Sequence, residues 1–168
     1  SLFIAESKIE GPLVSSDISG LIGQYAHGNE PSHHIVHLYN YVNQSWKTQQ
    51  LIDTILHTQY FNNPNGLSGN EDCGQMSAWY VLNAMGFYQV CPGSPIYSVG
   101  RPIFDKVTIN LPNGKVFEII ANNNSRTNKY IQSIRLDNIL LESPFFMHSD
   151  IMKGGKIVME MGNTPVKQ

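Results

Sequence analysis

Two adjacent carboxylates, Glu71 and Asp72, stand between a glycine-rich segment and an apolar run that begins near Gln75. The unpaired backbone N–H groups of a first helical turn attract negative charge, so a carboxylate at this position can serve as a base. The same spacing fits a capping box, in which Asp72 accepts from the helix N–H groups and Gln75 reaches back. The loop by itself favours the cap, and a chemical role requires a second site.

A second acidic loop, residues 24–30, places Asn29 and Glu30 after a glycine and before an apolar periodic segment. Backbone carbonyl, amide and carboxylate oxygens are hard ligands that suit calcium better than zinc or copper. The residues therefore predict a calcium site, to which Asp72 could add a shared ligand or the base for a nearby water. Another helix cap is the alternative interpretation of this loop.

Histidines follow this second loop, and two of them, His33 and His37, have the i, i+4 spacing of a shared helix face. A zinc hydrolase is one interpretation, but the His-Glu-x-x-His pattern of such enzymes is absent. We expect these histidines to form a hydrogen-bonding wall of a polar pocket. Trp79 recurs at helical spacing with other apolar residues, and we expect it in the core.

Three predicted helices must hold the two loops in place. Apolar residues recur at helical spacing over 31–42 and 46–60, and a third helix runs from Gln75 until glycine ends it at Gly86. This third helix is apolar on nearly every side, which is typical of a buried helix. The first acidic loop is therefore anchored by a rigid element.

The periodicity changes from helical to alternating after residue 95. Alternation over 107–111 and 116–120, with a Pro-Asn-Gly turn between, predicts a β-hairpin. Further strands are expected at 130–136, 139–141 and 157–161. We therefore predict an α+β fold with a helical segment over 1–95 and a small antiparallel β module over 96–168.

Composition excludes several classes of function. The 168 residues carry a net charge of −2 without a Lys/Arg cluster, so we expect no nucleic-acid partner. No apolar run approaches the roughly 20 residues that span a bilayer, and the first residues lack the basic and apolar regions that are typical of a signal peptide. Cys73 and Cys91 flank the third helix, so we expect no disulfide between them unless the loop after Gly86 doubles back.

Three long motifs, at residues 28–34, 69–80 and 86–95, carry a family resemblance. In this order and spacing they resemble the C-terminal part of glycoside hydrolase family 92, whose members are calcium-dependent exo-acting α-mannosidases, often specific for α-1,2 linkages. The resemblance covers almost the whole chain. It implies that the helical segment belongs to the C-terminal part of an (α/α)6-type barrel.

The resemblance also implies an inverting hydrolysis of terminal α-mannosides, in which a calcium ion engages the mannose hydroxyls. The general acid of the family lies upstream of every residue here. Many members carry Asp where this chain has Asn70. The roles implied are catalytic base for Asp72, substrate binding for Asn70, Glu71, His33 and His34, and metal binding for Asn29, Glu30 and Gln24.

On the same resemblance, the chain is expected to be a C-terminal fragment that is inactive alone and that joins the missing N-terminal part of its parent chain. Its partners would be mannose-containing glycans, and its location periplasmic, cell-surface or secreted rather than cytoplasmic. The alternative is a non-catalytic carbohydrate-binding or structural module that retains the helices and the β module.

Overall fold

A computed structural model describes residues 2–11 and 18–167. After a short 3-10 helix at Leu2–Ile4, a small antiparallel hairpin pairs β1 (Leu21–Ile22) with β2 (Tyr25–Ala26). Two more 3-10 helices, Glu30–Ser32 and Ile35–Val42, lead into the α-helices α1 (Ser45–Thr58) and α2 (Gln75–Met85). The Ser15-Ser16-Asp17 stretch, whose residue types suit a helix cap, lies outside the described residues. The predicted helices over 46–60 and from Gln75 are confirmed.

The predicted helix over 31–42 is not an α-helix, because it consists of two 3-10 segments interrupted at His33 and His34. The indole Nε1 of Trp79 donates a hydrogen bond of 3.1 Å to the carbonyl of His33. The N–H of His37, which would bond that carbonyl in an α-helix, donates to the carbonyl of His34 instead, at 3.0 Å. A side chain from α2 therefore replaces one α-helical hydrogen bond and tightens the turn.

The helical part has its own hydrophobic core, and Trp79 lies in it with no exposed surface, as predicted. The buried members of this core are Tyr25, Val36, Ile52, Ile55, Leu56 and Trp79. The prediction that α2 is buried all round is wrong, since Val81 on its outer face is 52% exposed. The helix exposes this one face, while Trp79 packs in the helical core and Leu82 and Met85 pack against the core of the sheets.

The second half of the chain forms two sheets and one short helix. Three antiparallel strands are β3 (Phe87–Tyr88), β4 (Ile96–Val99) and β9 (Phe145–Met147). Five more strands lie in the order β5-β6-β10-β7-β8, with bounds Lys106–Asn110, Val116–Asn122, Gly155–Gly162, Tyr130–Leu136 and Ile139–Leu140. The helix α3 (His148–Lys153) precedes β10. The predicted hairpin and the mixed α+β class are confirmed, although β6 and β10 pair in parallel.

Buried polar contacts join the helical part to these sheets. Gln49 of α1 accepts the N–H of Ile131 at 3.0 Å. Asp53 of α1 lies 3.1 Å from Nε of Arg101 and 3.3 Å from Nζ of Lys129. The division of the chain at residue 95 therefore crosses a polar interface, and its status as a domain boundary stays a prediction.

Candidate active site

The structure brings the two acidic loops into direct backbone contact. The hairpin continues beyond β1 and β2, so that the N–H of Gly28 donates to the carbonyl of Ser19 at 3.1 Å. A Cβ atom at Gly28 would lie 2.8 Å from the carbonyl oxygen of Ser68, and one at Gly69 would lie 3.1 Å from Cα of Gly28. Glycine at both positions lets the two loops touch at Gly28 and residues 68–69.

The backbone at the end of the first acidic loop is left-handed over three successive residues, Asp72, Cys73 and Gly74, with φ of 49°, 56° and 92°. The predicted capping box is wrong, because α2 begins at Gln75 after Gly74 without a side-chain cap from Asp72. Glu71 takes the capping role instead: its carboxylate accepts the N–H of Ser77 at 3.0 Å and the hydroxyl of Ser77 at 2.9 Å. The left-handed turn places Asp72 outside the helix start.

Asp72 and Asn70 are exposed, whereas Glu71 is half-buried. Within the part of the chain that the structure describes, no group donates a hydrogen bond to the carboxylate of Asp72. Of two neighbouring acids, one is held by the helix and the other is open to solvent. Cys73, also exposed, is a free thiol, as is Cys91.

The predicted metal-binding residues are not all together. Glu30 begins a 3-10 helix, and its Oε1 atom is buried without a hydrogen-bond partner among the described residues. Asn29 is exposed, and its carbonyl accepts the hydroxyl of Ser32 at 2.7 Å. Gln24 lies at the turn between β1 and β2, at the opposite end of the hairpin from Gly28, and its amide donates to the carbonyl of Lys8 at 3.3 Å. Gln24 is therefore separated from the two acidic loops.

His33 ties the second loop to the start of α2. Its Nε2 lies 2.9 Å from the carbonyl of His27 and must donate to it, so Nδ1 accepts from the amide of Gln75 at 3.2 Å. This arrangement requires a neutral ring, and burial lowers the pKa of His33. His34 is half-buried between the two 3-10 segments. His33 therefore fixes the position of Gln75, three residues after Asp72.

His27 is a residue of the site that the sequence analysis missed. It is fully buried, with Nδ1 2.9 Å from the hydroxyl of Tyr25 and Nε2 2.7 Å from the hydroxyl of Tyr60. Burial, reinforced by nearby His33, lowers the pKa of His27 to about 3. Alternation along the strand places Tyr25 and His27 on one face, which is the signal that could have identified the pair.

His37 belongs to a different pocket from His33. Its ring nitrogens lie 2.9 Å from Oδ1 of Asn83 and 3.1 Å from the hydroxyl of Ser98, and burial lowers its pKa to about 4. The shared helix face that suggested a zinc site is wrong, because the segment is 3-10 and spacing of four does not align side chains there. Among residues 2–11 and 18–167, no group of three His, Cys, Asp or Glu side chains is placed to hold a metal.

The donor chemistry near Glu30 nevertheless fits calcium. Calcium takes six to eight oxygen ligands, which include amides, carbonyls and waters besides carboxylates. Buried oxygens without described partners occur at Glu30 Oε1 and Ser19 Oγ, and Asn29 and Asn70 add exposed amides in the touching loops. These are hard oxygens, and they suit calcium better than a transition metal. The described carboxylates are too few for a complete site, so carbonyls, waters or substrate oxygens would have to complete it.

A cavity of about 430 Å³ adjoins the first acidic loop. Aromatic rings of Tyr60, Phe61 and Tyr80 line it, together with Ser77, the residue that holds the carboxylate of Glu71. Aromatic faces and a few polar groups are the usual lining of small-molecule sites. The acidic loop therefore has an aromatic surface beside it.

Comparisons with known proteins point to one family. The model of the glycosyl hydrolase family 92 catalytic domain matches residues 1–163. The solved family GH92 α-mannosidase BT3965 from Bacteroides thetaiotaomicron is 41% identical over 99% of this chain, with a TM-score of 0.88. The inverting mannosidase BT2199 from the same organism is 43% identical over 85% of this chain, with a TM-score of 0.80.

A curated relative from Arthroderma benhamiae, described as an uncharacterized secreted glycosidase, is 27% identical over 138 residues, or 80% of this chain. The chain spans only a small part of each of these proteins: 21% of BT3965, 19% of BT2199 and 18% of the secreted glycosidase. No helix in the described part of the chain is long and apolar enough to cross a bilayer.

Proposed function

Because the chain belongs to glycosyl hydrolase family 92, we propose that it carries the catalytic base of a calcium-dependent, inverting exo-α-mannosidase. The parent enzyme would release terminal α-1,2-linked mannose from glycans outside the cytoplasm. The small share of each relative that the chain spans, 21% of BT3965 and 19% of BT2199, supports a C-terminal fragment that depends on the rest of its parent. The relative described as secreted supports the location.

The contrast between Glu71 and Asp72 is the observation that carries this proposal. An inverting glycosidase needs one carboxylate that takes a proton from the attacking water and one carboxylic acid that protonates the leaving oxygen. The carboxylate of Glu71 is held by Ser77. That of Asp72 is exposed and turned away from the helix by left-handed backbone. Asp72 therefore acts as the base, and the general acid lies outside these 168 residues.

The residues around Asp72 have different proposed roles. Both ring nitrogens of His33 are bonded within the protein, so His33 orients Gln75 and forms a wall of the site. His34 and Asn70 keep their polar atoms available for sugar hydroxyls. Glu71 keeps the loop attached to α2 and contacts the substrate through its remaining lone pairs.

Asn29 and Glu30 would hold the calcium ion, and Gln24, at the far end of the hairpin, would need to move to join them. When bound, calcium orients and polarises the mannose hydroxyls. The buried and unpartnered Oε1 of Glu30 supports this role, since an unpaired buried carboxylate oxygen is costly.

Calorimetric titration of calcium into the purified chain, with and without mannose, tests the metal site. Calcium should bind to the wild type and to Asp72→Ala, whereas Glu30→Ala should abolish the heat of binding. Glu142→Ala, which removes an exposed acid of the β module, is the control and should bind as the wild type does. Unchanged binding by Glu30→Ala would reject this ligand.

Hydrolysis of α-1,2-mannobiose, followed by NMR with calcium present, tests the expected inactivity. We expect no product from the purified chain, because one of the two required carboxyl groups is missing. Measurable release of mannose that Asp72→Asn abolishes would contradict the fragment interpretation while retaining the base.

A further inference from the structure

Ser19 lies where the two acidic loops meet. Its carbonyl accepts the N–H of Gly28 at 3.1 Å, which fixes it opposite the residue that precedes Asn29. A Cβ atom at Gly28 would lie 2.1 Å from Oγ of Ser19, and one at Gly69 would lie 3.1 Å from the same atom. The hydroxyl of Ser19 therefore fills the space that the two glycines leave open.

This hydroxyl is buried and has no hydrogen-bond partner among residues 2–11 and 18–167. Burying a hydroxyl without a partner is unfavourable, so such an atom in a polar site indicates a missing water, ion or ligand. Glu30, two residues after Gly28, has a buried carboxylate oxygen in the same condition. By contrast, the buried Nε of Arg101, although not hydrogen-bonded, faces the opposite charge of Asp53 at 3.1 Å.

We infer that Ser19 is a positioning residue of the calcium site, which it serves by offering its hydroxyl to the ion or to an ion-bound water; its backbone carbonyl holds that hydroxyl in place opposite Gly28. The inference rests on the proposed function. The same bound cation, directly or through its water, would then contact both the hydroxyl of Ser19 and the Oε1 atom of Glu30. Groups that support metal ligands in this way typically contribute about 10- to 100-fold to metal affinity.

Calcium titration of Ser19→Ala, compared with Ser68→Ala, tests this role. Ser68 also lies in the first loop, but its hydroxyl donates to Oε1 of Gln59 at 2.8 Å. We expect Ser19→Ala to weaken calcium binding about tenfold. Its melting temperature without calcium should not fall, because no hydrogen bond between described residues is lost. Ser68→Ala should show the reverse: a lower melting temperature without calcium and an unchanged calcium affinity.

The outcomes separate this inference from the proposed function. Calcium affinity of Ser19→Ala equal to that of the wild type would overturn the role of Ser19 and leave the calcium site intact. A calcium-free melting temperature that falls together with the affinity would assign Ser19 a structural role and also overturn the inference. If titration of calcium into the wild-type chain gives no heat of binding, the proposed calcium site is rejected, and the role of Ser19 is rejected with it.

Discussion

Acidification should destabilise this chain through its buried neutral histidines. His27 and His37 have no exposed surface, and burial lowers their pKa values to about 3 and about 4. In the unfolded chain a histidine titrates near pH 6.5. Between these values the unfolded state binds more protons than the folded state, so the free energy of unfolding falls as the pH falls. The stabilisation is complete above about pH 6.5 and is lost progressively towards pH 3 to 4.

The magnitude follows from the same shift. At pH 5 an unfolded histidine is almost fully protonated, while His27 and His37 remain neutral in the folded chain. Each therefore removes about 2 kcal/mol from the free energy of unfolding between pH 7 and pH 5, or about 4 kcal/mol together. Burial lowers the pKa of His33 as well, so this residue acts in the same direction.

Urea unfolding at pH 7 and pH 5, followed by circular dichroism, measures this loss. His27→Gln removes one titrating group, so its loss between the two pH values should be about 2 kcal/mol smaller than that of the wild type, whatever its stability at pH 7. His148→Gln, at an exposed position, is the matched control and should lose as much as the wild type. Equal losses for His27→Gln and the wild type would refute the reasoning.

Two further pairs of substitutions, each a test and its control, probe the contact between the acidic loops and the contact between α1 and the sheets. Gly69→Ala and Gly93→Ala place a side chain at the same φ of 87°, but only Gly69 faces close neighbours, so its variant should melt lower and the difference should report the contact between the two loops. Asp53→Asn should lower the free energy of unfolding by about 3 to 5 kcal/mol, because it leaves Arg101 buried without its counter-charge. Glu118→Gln, at a partly exposed ion pair with Lys106, should change that free energy by less than about 1 kcal/mol in the same urea titration.

The sequence predicted the elements whose periodicity is local. The helices α1 and α2 and the hairpin of β5 and β6 follow directly from apolar spacing and turn residues. The strand pair β4 and β9 was missed, because each is short and Ile96 pairs with Met147, about fifty residues away. The interruption of the predicted helix at His33 was also missed because it involves a residue distant in sequence: the indole of Trp79 donates to the carbonyl of His33.

The sequence identified the two acidic loops of the candidate site, but not the contact between them. Residue types and motif order identified both acidic loops, and nothing in their local pattern required them to touch. Their contact depends on Gly28 and Gly69 approaching within the space of one Cβ atom, which is a property of the folded backbone. Gln24 shows why closeness in sequence did not predict closeness in space. It is five residues from Asn29, but it lies in the hairpin turn, at the opposite end of the hairpin from the acidic loops.

The left-handed turn before α2 separates the two neighbouring carboxylates of the first acidic loop. Left-handed backbone at a residue other than glycine costs of order 1 to 3 kcal/mol, and Asp72 and Cys73 both adopt it. A conventional cap by Asp72 would avoid that cost, but it would also bind the carboxylate to the N–H groups of α2. The chain instead satisfies the N–H of Ser77 through Glu71. The conformation of this turn is thus the physical reason that the carboxylate of Asp72 stays exposed while that of Glu71 is bonded to Ser77, which is the arrangement that the proposed base requires.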